Sequence, residues 1–318
     1  MTLHLTHWGT FEAVSDGERL TDVRPWRGDP EPMPLIGNVA SAQHHPARIT
    51  RPHVRKRWLD HGPGAPDRAA KGRGDEPFVP VSWDTALDLL SAELRRVYRD
   101  HGAEGVYGGS YGWASAGRFH HAQSQAHRFL NCLGGYVWSV NSYSLGTSTV
   151  LLPYVIADVN VLETRATAKS VIAEHSELVV AFGGLSPKNA AVSPGGVSRH
   201  NSRGWMSAAR ARGCRFVSVS PIRDDTPAEA QAEWIAPRPG TDAALMLALA
   251  QVLDAGGLAD TGFLDRYAVG YPRFAGYLRG EEDGVVKDPA WAEAITGVPA
   301  ARIRELAREM AAARTLVT

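Results

Sequence analysis

A chain of 318 residues, 44% of them hydrophobic, can bury enough apolar surface for one large domain or two ordinary ones. Its 34 Lys and Arg are balanced by 34 Asp and Glu, which excludes a global field that would gather nucleic acid or an anionic membrane; the basic run from Arg48 to Arg57 reads as a solvated face. Cys132 and Cys214 are its only cysteines and form no CxxC pair, which excludes a disulfide framework and a cysteine-held iron–sulfur cluster and makes both core thiols.

The opening MTLHLTHWGTFEAV holds neither a twin-arginine pair nor an apolar signal core, and no later apolar run approaches the ~20 residues of a membrane span. With Met1 as the true start, a soluble cytoplasmic protein is expected. Residues 1–80 are rich in Pro, Gly and His and read as a small β-rich and irregular wrapping segment. Within it, Thr10–Val14 and Leu20–Val23 alternate about Ser15-Asp16-Gly17 as a β-hairpin, whereas Gly62–Glu76 offers nothing to bury.

From Ser82 the period changes to that of a helix, with Ser82 as N-cap and Ala86, Leu87, Leu90, Leu94 and Val97 on one face up to about Tyr98. Gly105-Val106-Tyr107 reads as a short buried strand ending at Gly108-Gly109. A helix over about 117–133 follows, and Gly134-Gly135 supplies its left-handed cap. Next come a strand at Tyr136–Val140, an apolar helix around Thr147–Ala157, strands at Leu178–Phe182 and Arg215–Val219, and a helix around Gly204–Ala211 between those two.

This alternation predicts an α/β fold, a Rossmann-like parallel sheet with flanking helices over residues 81–318, in which ligands sit in loops at the carboxyl ends of strands. The loops so placed are Gly108–Trp113, Asn141–Ser144, Gly183–Asn189, Ser220–Thr226 and Pro237–Asp242. Helices are expected at Asp242–Leu253, Thr261–Tyr267, Ala290–Ile295 and Ala300–Ala312. The closing Thr315-Leu316-Val317-Thr318 reads as an unpartnered strand opening a further α/β unit, so a truncated chain is expected.

From residue types alone, Ser144 is a helix N-cap, and Tyr111 and Trp113 form an aromatic turn packed into the core. Ser220-Pro221-Ile222-Arg223 is either an ordinary strand-to-loop turn or a pyrophosphate site in which backbone amides and a guanidinium meet the anion. Asp242 is a second N-cap, and Lys188 a solvated charge. His120, His121 and His127 lie on one helix without HExxH and do not make a zinc site. No GxGxxG stands between a strand and a helix, which weakens the alternative of a nicotinamide-dependent dehydrogenase.

The stretch YGGSYGWASAGRFHHAQSQAHRFLNCLGGYVWSVNSYSLGTS, residues 107–148, resembles the molybdenum-binding core of the dimethyl sulfoxide reductase family. Its run RFHHAQSQAHRFLN looks most like the biotin sulfoxide reductase branch. The resemblance implies a molybdopterin oxidoreductase that reduces S-oxides, of biotin or methionine sulfoxide type, and N-oxides by oxygen-atom transfer. Molybdenum would be held mainly by bis(molybdopterin guanine dinucleotide), with no iron–sulfur cluster in this chain.

Ser144 is then the protein's oxygen ligand to the metal, Tyr111 a donor to the oxygen being transferred, and Trp113 a donor to the metal's oxo group or a cofactor oxygen. The resemblance also puts Lys188 and Asn189 near the pterin. The Ser220, Pro221 and Arg223 turn falls in a strand-end loop suited to the pyrophosphate. In the matching PRPGTD run, Gly240 and Thr241 bind cofactor and Asp242 accepts from guanine. Partners implied are a small sulfoxide or N-oxide substrate, an external electron donor that is either a small redox protein or a reduced nicotinamide system, and a maturation chaperone; neither nucleic acid nor membrane is among them. Family members run beyond twice this length, so the resemblance spans only the first part of their pattern. A non-catalytic fragment that binds part of the cofactor or a chaperone is the alternative.

Overall fold

The computed structural model describes residues 2–63, 74–110, 121–142, 144–193 and 196–318. Its contacts group the chain into two compact units, Met1–Val159 with Ser193–Ser198, and Asn160–Val192 with Arg199–Thr318.

The first unit opens with an antiparallel sheet of β1 (Leu3–Thr6), β2 (Gly9–Asp16) and β3 (Arg19–Pro25), in that order. The hairpin turns where the sequence places it: Asp16 pairs with Arg19, Gly17 supplies φ +59°, and the register shifts between Val14 and Ser15. Phe11, Val23 and Ile36 form the core under this sheet. Helix α1 (Asn38–Gln43) follows, then strand β4 (His53–Arg55), helix α2 (Lys56–His61) and strand β5 (Phe78–Pro80), with β4 and β5 antiparallel.

Helix α3 (Trp83–His101) begins as expected, since the Ser82 hydroxyl accepts from the Thr85 amide at 3.1 Å. The two strands expected at 105–107 and 136–140 reduce to one parallel bridge, Tyr107 with Val137. Two bonds hold it, from the Val137 amide to the Val106 carbonyl (2.8 Å) and from the Gly108 amide to the Val137 carbonyl (2.9 Å). Glycine explains the curtailment. A Cβ on Gly108 would lie 2.1 Å from Leu130 and 2.7 Å from Tyr136, so this point serves close packing rather than a continued ladder. Helix α4 (Ala122–Cys132) ends at Gly134 and Gly135, with φ +116° and +102°, whose amides return to the Asn131 and Leu130 carbonyls. Helix α5 (Gly146–Val155) completes this unit's regular structure.

After α6 (Val159–Thr164) and α7 (Lys169–His175) the second unit lays down β6 (Leu178–Phe182), α8 (Ser202–Ala211), β7 (Arg215–Val219) and β8 (Glu233–Ile235). Five helices follow, α9 (Asp242–Ala255), α10 (Thr261–Tyr267), α11 (Tyr271–Leu278), α12 (Pro289–Thr296) and α13 (Ala300–Ala312), and then strand β9 (Thr315–Val317). The four strands form a parallel sheet in the order β8-β7-β6-β9.

Strand alternation sends Leu178, Val180, Val217 and Val219 to one face, against Leu245, Leu249, Ile303 and Leu306 of α9 and α13. Val179 and Phe216 take the other face, with Ala173, Trp205 and Met206 of α7 and α8. Both faces are covered, which is why Leu178–Phe182 reads as an unbroken apolar run. Beyond the core, Arg302 on α13 binds Glu233 at 2.6 and 2.7 Å and Glu309 at 3.1 Å, and Arg215 reaches Glu309 at 3.2 Å.

One expectation differs here. The final strand has a partner: β9 runs parallel to β6, Leu178 opposite Thr315, and Arg314 secures the approach through Glu177 at 2.9 Å. The contacts divide the chain at Val159, and among the described residues of 81–159 there are helices and a single bridge but no strand of the parallel sheet.

Candidate functional site

Tyr111, Trp113 and His120 lie outside the described residues. Ser144 is exposed on the turn that precedes α5. That turn is built locally. Asn141 adopts φ +72°, its side-chain oxygen accepts from the Ser142 amide at 2.7 Å, and its amide nitrogen donates to the Gly146 carbonyl at 3.4 Å. The Ser142 hydroxyl then accepts from the Ser144 amide at 3.2 Å. The N-cap of α5 is Leu145, which gives the helix no side-chain cap, so the N-cap position expected of Ser144 belongs to its neighbour.

The helix histidines take separate roles. His121 caps α4, its Nδ1 accepting from the Ser124 amide at 3.2 Å, which requires the proton on Nε2. His127 packs its ring against Tyr136 at 5.4 Å and Trp138 at 4.6 Å between centroids, and its Nε2 is buried without a hydrogen-bond partner among the described residues.

In the second unit, three predicted loops leave the same edge of one parallel sheet. The loop after β6 turns through Gly183 and Gly184, with φ +85° and +79°, and carries exposed Lys188 and Asn189. The loop after β7 begins at Ser220, which is fully buried, its hydroxyl donating to Asp225 Oδ2 at 2.8 Å and accepting from the Ile222 amide at 3.1 Å. That hydroxyl is fully used within the turn. Pro221 and Arg223 remain exposed, and the Arg223 guanidinium lies 5.7 Å from the Trp234 ring, whose Nε1 donates to the Ser220 carbonyl at 2.8 Å.

The loop after β8 reaches Gly240, at φ +76°, and Thr241, whose hydroxyl donates to the Arg238 carbonyl at 2.7 Å. Arg238 donates to the Ala294 and Ile295 carbonyls at 2.8 and 3.0 Å, so this cation secures the end of α12. Asp242 is the first residue of α9, where a carboxylate faces the positive end of the helix.

Sequence reasoning missed the residue that ties two of these loops together. Asp225 lies 3.6 Å from Lys188 Nζ, accepts from Ser220, and offers its backbone carbonyl to the Leu185 amide at 2.8 Å. Nothing in local spacing signals a contact across forty positions. Beside the loop after β6 opens a cavity of about 250 Å³ lined by Lys169, Ser186, Asn189, Ser202 and Trp205. Among the described residues no group of three or more His, Cys, Asp or Glu could hold a metal ion, and no helix is long and apolar enough to cross a membrane.

Glycine turns, cations and a helix start at the carboxyl ends of a parallel sheet mark an α/β protein with flanking helices. The chain belongs to the molybdopterin oxidoreductase family, which its sequence matches over residues 48–301, with the molybdopterin oxidoreductase N-terminal domain matched over residues 4–44. It is 43% identical over 296 residues to biotin sulfoxide reductase of Cereibacter sphaeroides, covering 93% of this chain and 39% of that protein. It is 39% identical over 312 residues to dimethyl sulfoxide/trimethylamine N-oxide reductase of Rhodobacter capsulatus, covering 98% and 37%. The chain thus spans well under half the length of these relatives. Among solved structures, acetylene hydratase from Pelobacter acetylenicus superposes on all of this chain and 40% of its own with a TM-score of 0.58 at 20% identity, a likeness of fold.

Proposed function

We propose that this chain forms the cofactor-binding part of a molybdenum enzyme that reduces S-oxides, of biotin or methionine sulfoxide type, and N-oxides. The observation that carries the reading is the exit of three loops from the carboxyl ends of one parallel sheet, two of them turning through glycine, in a chain 43% identical to a biotin sulfoxide reductase. When bound, molybdenum held by two molybdopterin guanine dinucleotides supplies two-electron oxygen-atom transfer.

The residues present fit that group. Backbone turning through Gly183, Gly184 and Gly240 lets the loops approach a bulky ligand, and Lys188 and Arg223 are exposed cations suited to its phosphates. The donor set suits a metal that brings its own sulfur ligands and takes one oxygen from the chain, that of Ser144. A serine hydroxyl loses its proton near neutrality only beside a strong Lewis acid, and Ser144 stands exposed on a turn fixed by Asn141 and Ser142.

Each remaining residue has a role in this reading. The Tyr111 phenol donates to the oxygen being transferred and the Trp113 indole to a cofactor oxygen, contacts that favour developing negative charge over the neutral substrate. Lys188 and Asn189 flank the pterin, with Lys188 toward the diphosphate that the Pro221–Arg223 turn meets, and the Asp242 carboxylate accepts the paired N–H donors of guanine behind Gly240 and Thr241. Ser220 shapes its turn from within rather than touching the cofactor. Electrons come from an external redox protein or reduced nicotinamide system, and a maturation chaperone delivers the cofactor. Metal analysis and pterin fluorescence of the purified chain, made in a host that synthesises the cofactor, test the reading. Molybdenum and pterin together are expected; protein free of both rejects it.

A further inference from the structure

Asp225 joins the loops after β6 and β7. Each carboxylate oxygen has its own partner, Oδ2 accepting from the Ser220 hydroxyl at 2.8 Å and Oδ1 lying 3.6 Å from Lys188 Nζ. Its backbone carbonyl accepts from the Leu185 amide at 2.8 Å. Gly184 makes room for this crossing: a Cβ there would stand 2.5 Å from the Asp225 carbonyl oxygen, at a φ of +79° that already disfavours a side chain. The Asp225 carboxylate is largely covered, with 17% of the side chain exposed, while Lys188 is 70% exposed. The partner that can move is therefore the lysine.

We propose that Asp225 is a positioning residue that sets the two loops, and through them Lys188 and Arg223, for a single diphosphate anion; this rests on the cofactor reading above. The bond to Ser220 fixes the turn on which Arg223 sits, and the carbonyl bond to Leu185 fixes the loop that carries Lys188. The ion pair is long and solvated, so Lys188 is held near the site until a doubly charged phosphate group draws it from the carboxylate. Asp225 itself does not touch the anion, since like charge excludes it from that contact.

The test alters one loop and reads the other. In this chain, Asp225→Ala is expected to speed hydrogen exchange at the Leu185 amide, and Gly184→Ala at the Ile222 amide, each by about tenfold. Asp225→Asn keeps an acceptor for Ser220 and is expected to restore Leu185 protection while leaving Lys188 without its counter-charge. Exchange that stays unchanged in the opposite loop of both Asp225→Ala and Gly184→Ala overturns the bracket; should the alanine variant misfold, loss of Leu185 protection in the nearly isosteric Asp225→Asn overturns it instead. Calorimetric titration with guanosine diphosphate supplies the second readout, with affinity falling by about fivefold in Asp225→Ala and Gly184→Ala. Equal affinity in all variants overturns the positioning role. A wild-type chain that gives no heat with guanosine diphosphate rejects the cofactor reading and the anion assigned here, whereas coupled exchange between the loops still carries the bracket.

Discussion

The two units support their candidate residues in opposite ways. In the second, two of the loops grow from β6 and β7, strands buried on both faces, Val179, Val180 and Val219 having no exposed surface at all. In the first, Ser144 stands on a turn held by the side chains of Asn141 and Ser142, and the neighbouring helices α3 and α5 bury none of their residues fully. A sheet packed on both sides fixes the direction of every loop that leaves it; a side-chain-built turn fixes one oxygen and little else. The first arrangement suits a long ligand gripped at several points, and the second a single coordinate bond.

The largest effect that sharpens this contrast is chemical. In the complete protein, Ser144→Ala is expected to abolish the proposed sulfoxide reduction while its circular dichroism stays unchanged; retained turnover would remove the proposed ligand assignment. Next comes packing. Leu245→Ala removes a side chain with no exposed surface from the sheet core and is expected to lower unfolding free energy by about 2–5 kcal/mol in urea denaturation, and a loss below 1 kcal/mol would contradict the account of a tightly filled core.

A smaller effect follows from charge. Burial pushes the Glu309 carboxyl up, but hydrogen bonds from Arg302 and Arg215 outweigh it and hold the group below its ordinary 4.5. Its stabilising contribution is therefore complete above pH 4.5 and is lost as pH falls through the lower folded value. Glu309→Gln should cost on the order of 1 kcal/mol near neutrality, the difference from wild type shrinking on acidification below pH 4.5. Urea midpoints between pH 7 and pH 3 check this, and curves that stay parallel would refute it. Smallest of all is Leu87→Ala on α3, where the side chain is half exposed and thermal unfolding should move by no more than about 0.5 kcal/mol equivalent.

The legible parts of the chain were those in which one local pattern decides the outcome. Leu178–Phe182 and Arg215–Val219 form strands with the bounds read from their apolar runs, and Ala300–Ala312 matches its helical period. Gly134 and Gly135 cap as read, because left-handed backbone is a property of the residue itself. Patterns failed where a distant partner decides. Tyr136–Val140 looks like a strand, yet among the described residues it pairs with Val106–Gly108 in one bridge. Helix α11 is not among the helices read from periodicity; it starts with Pro272 in its first turn, where the missing N–H is no loss. In the candidate site, Lys188 and Arg223 were visible as cations after strands, but the carboxylate that relates the loops was not, since Leu185 and Asp225 meet only once β6 and β7 have paired.

The pairing of β9 with β6 also orders events in time. Glu177 and Arg314, which meet just ahead of these strands, are 137 positions apart, whereas β6 and β7 are joined by one short crossover. Closing so long a span carries a larger entropy penalty, so during synthesis the central pair of strands forms early and the outer one docks late. Until it does, the open flank of β6 presents unmated amides and carbonyls, the surface most prone to adhere to a neighbouring nascent chain.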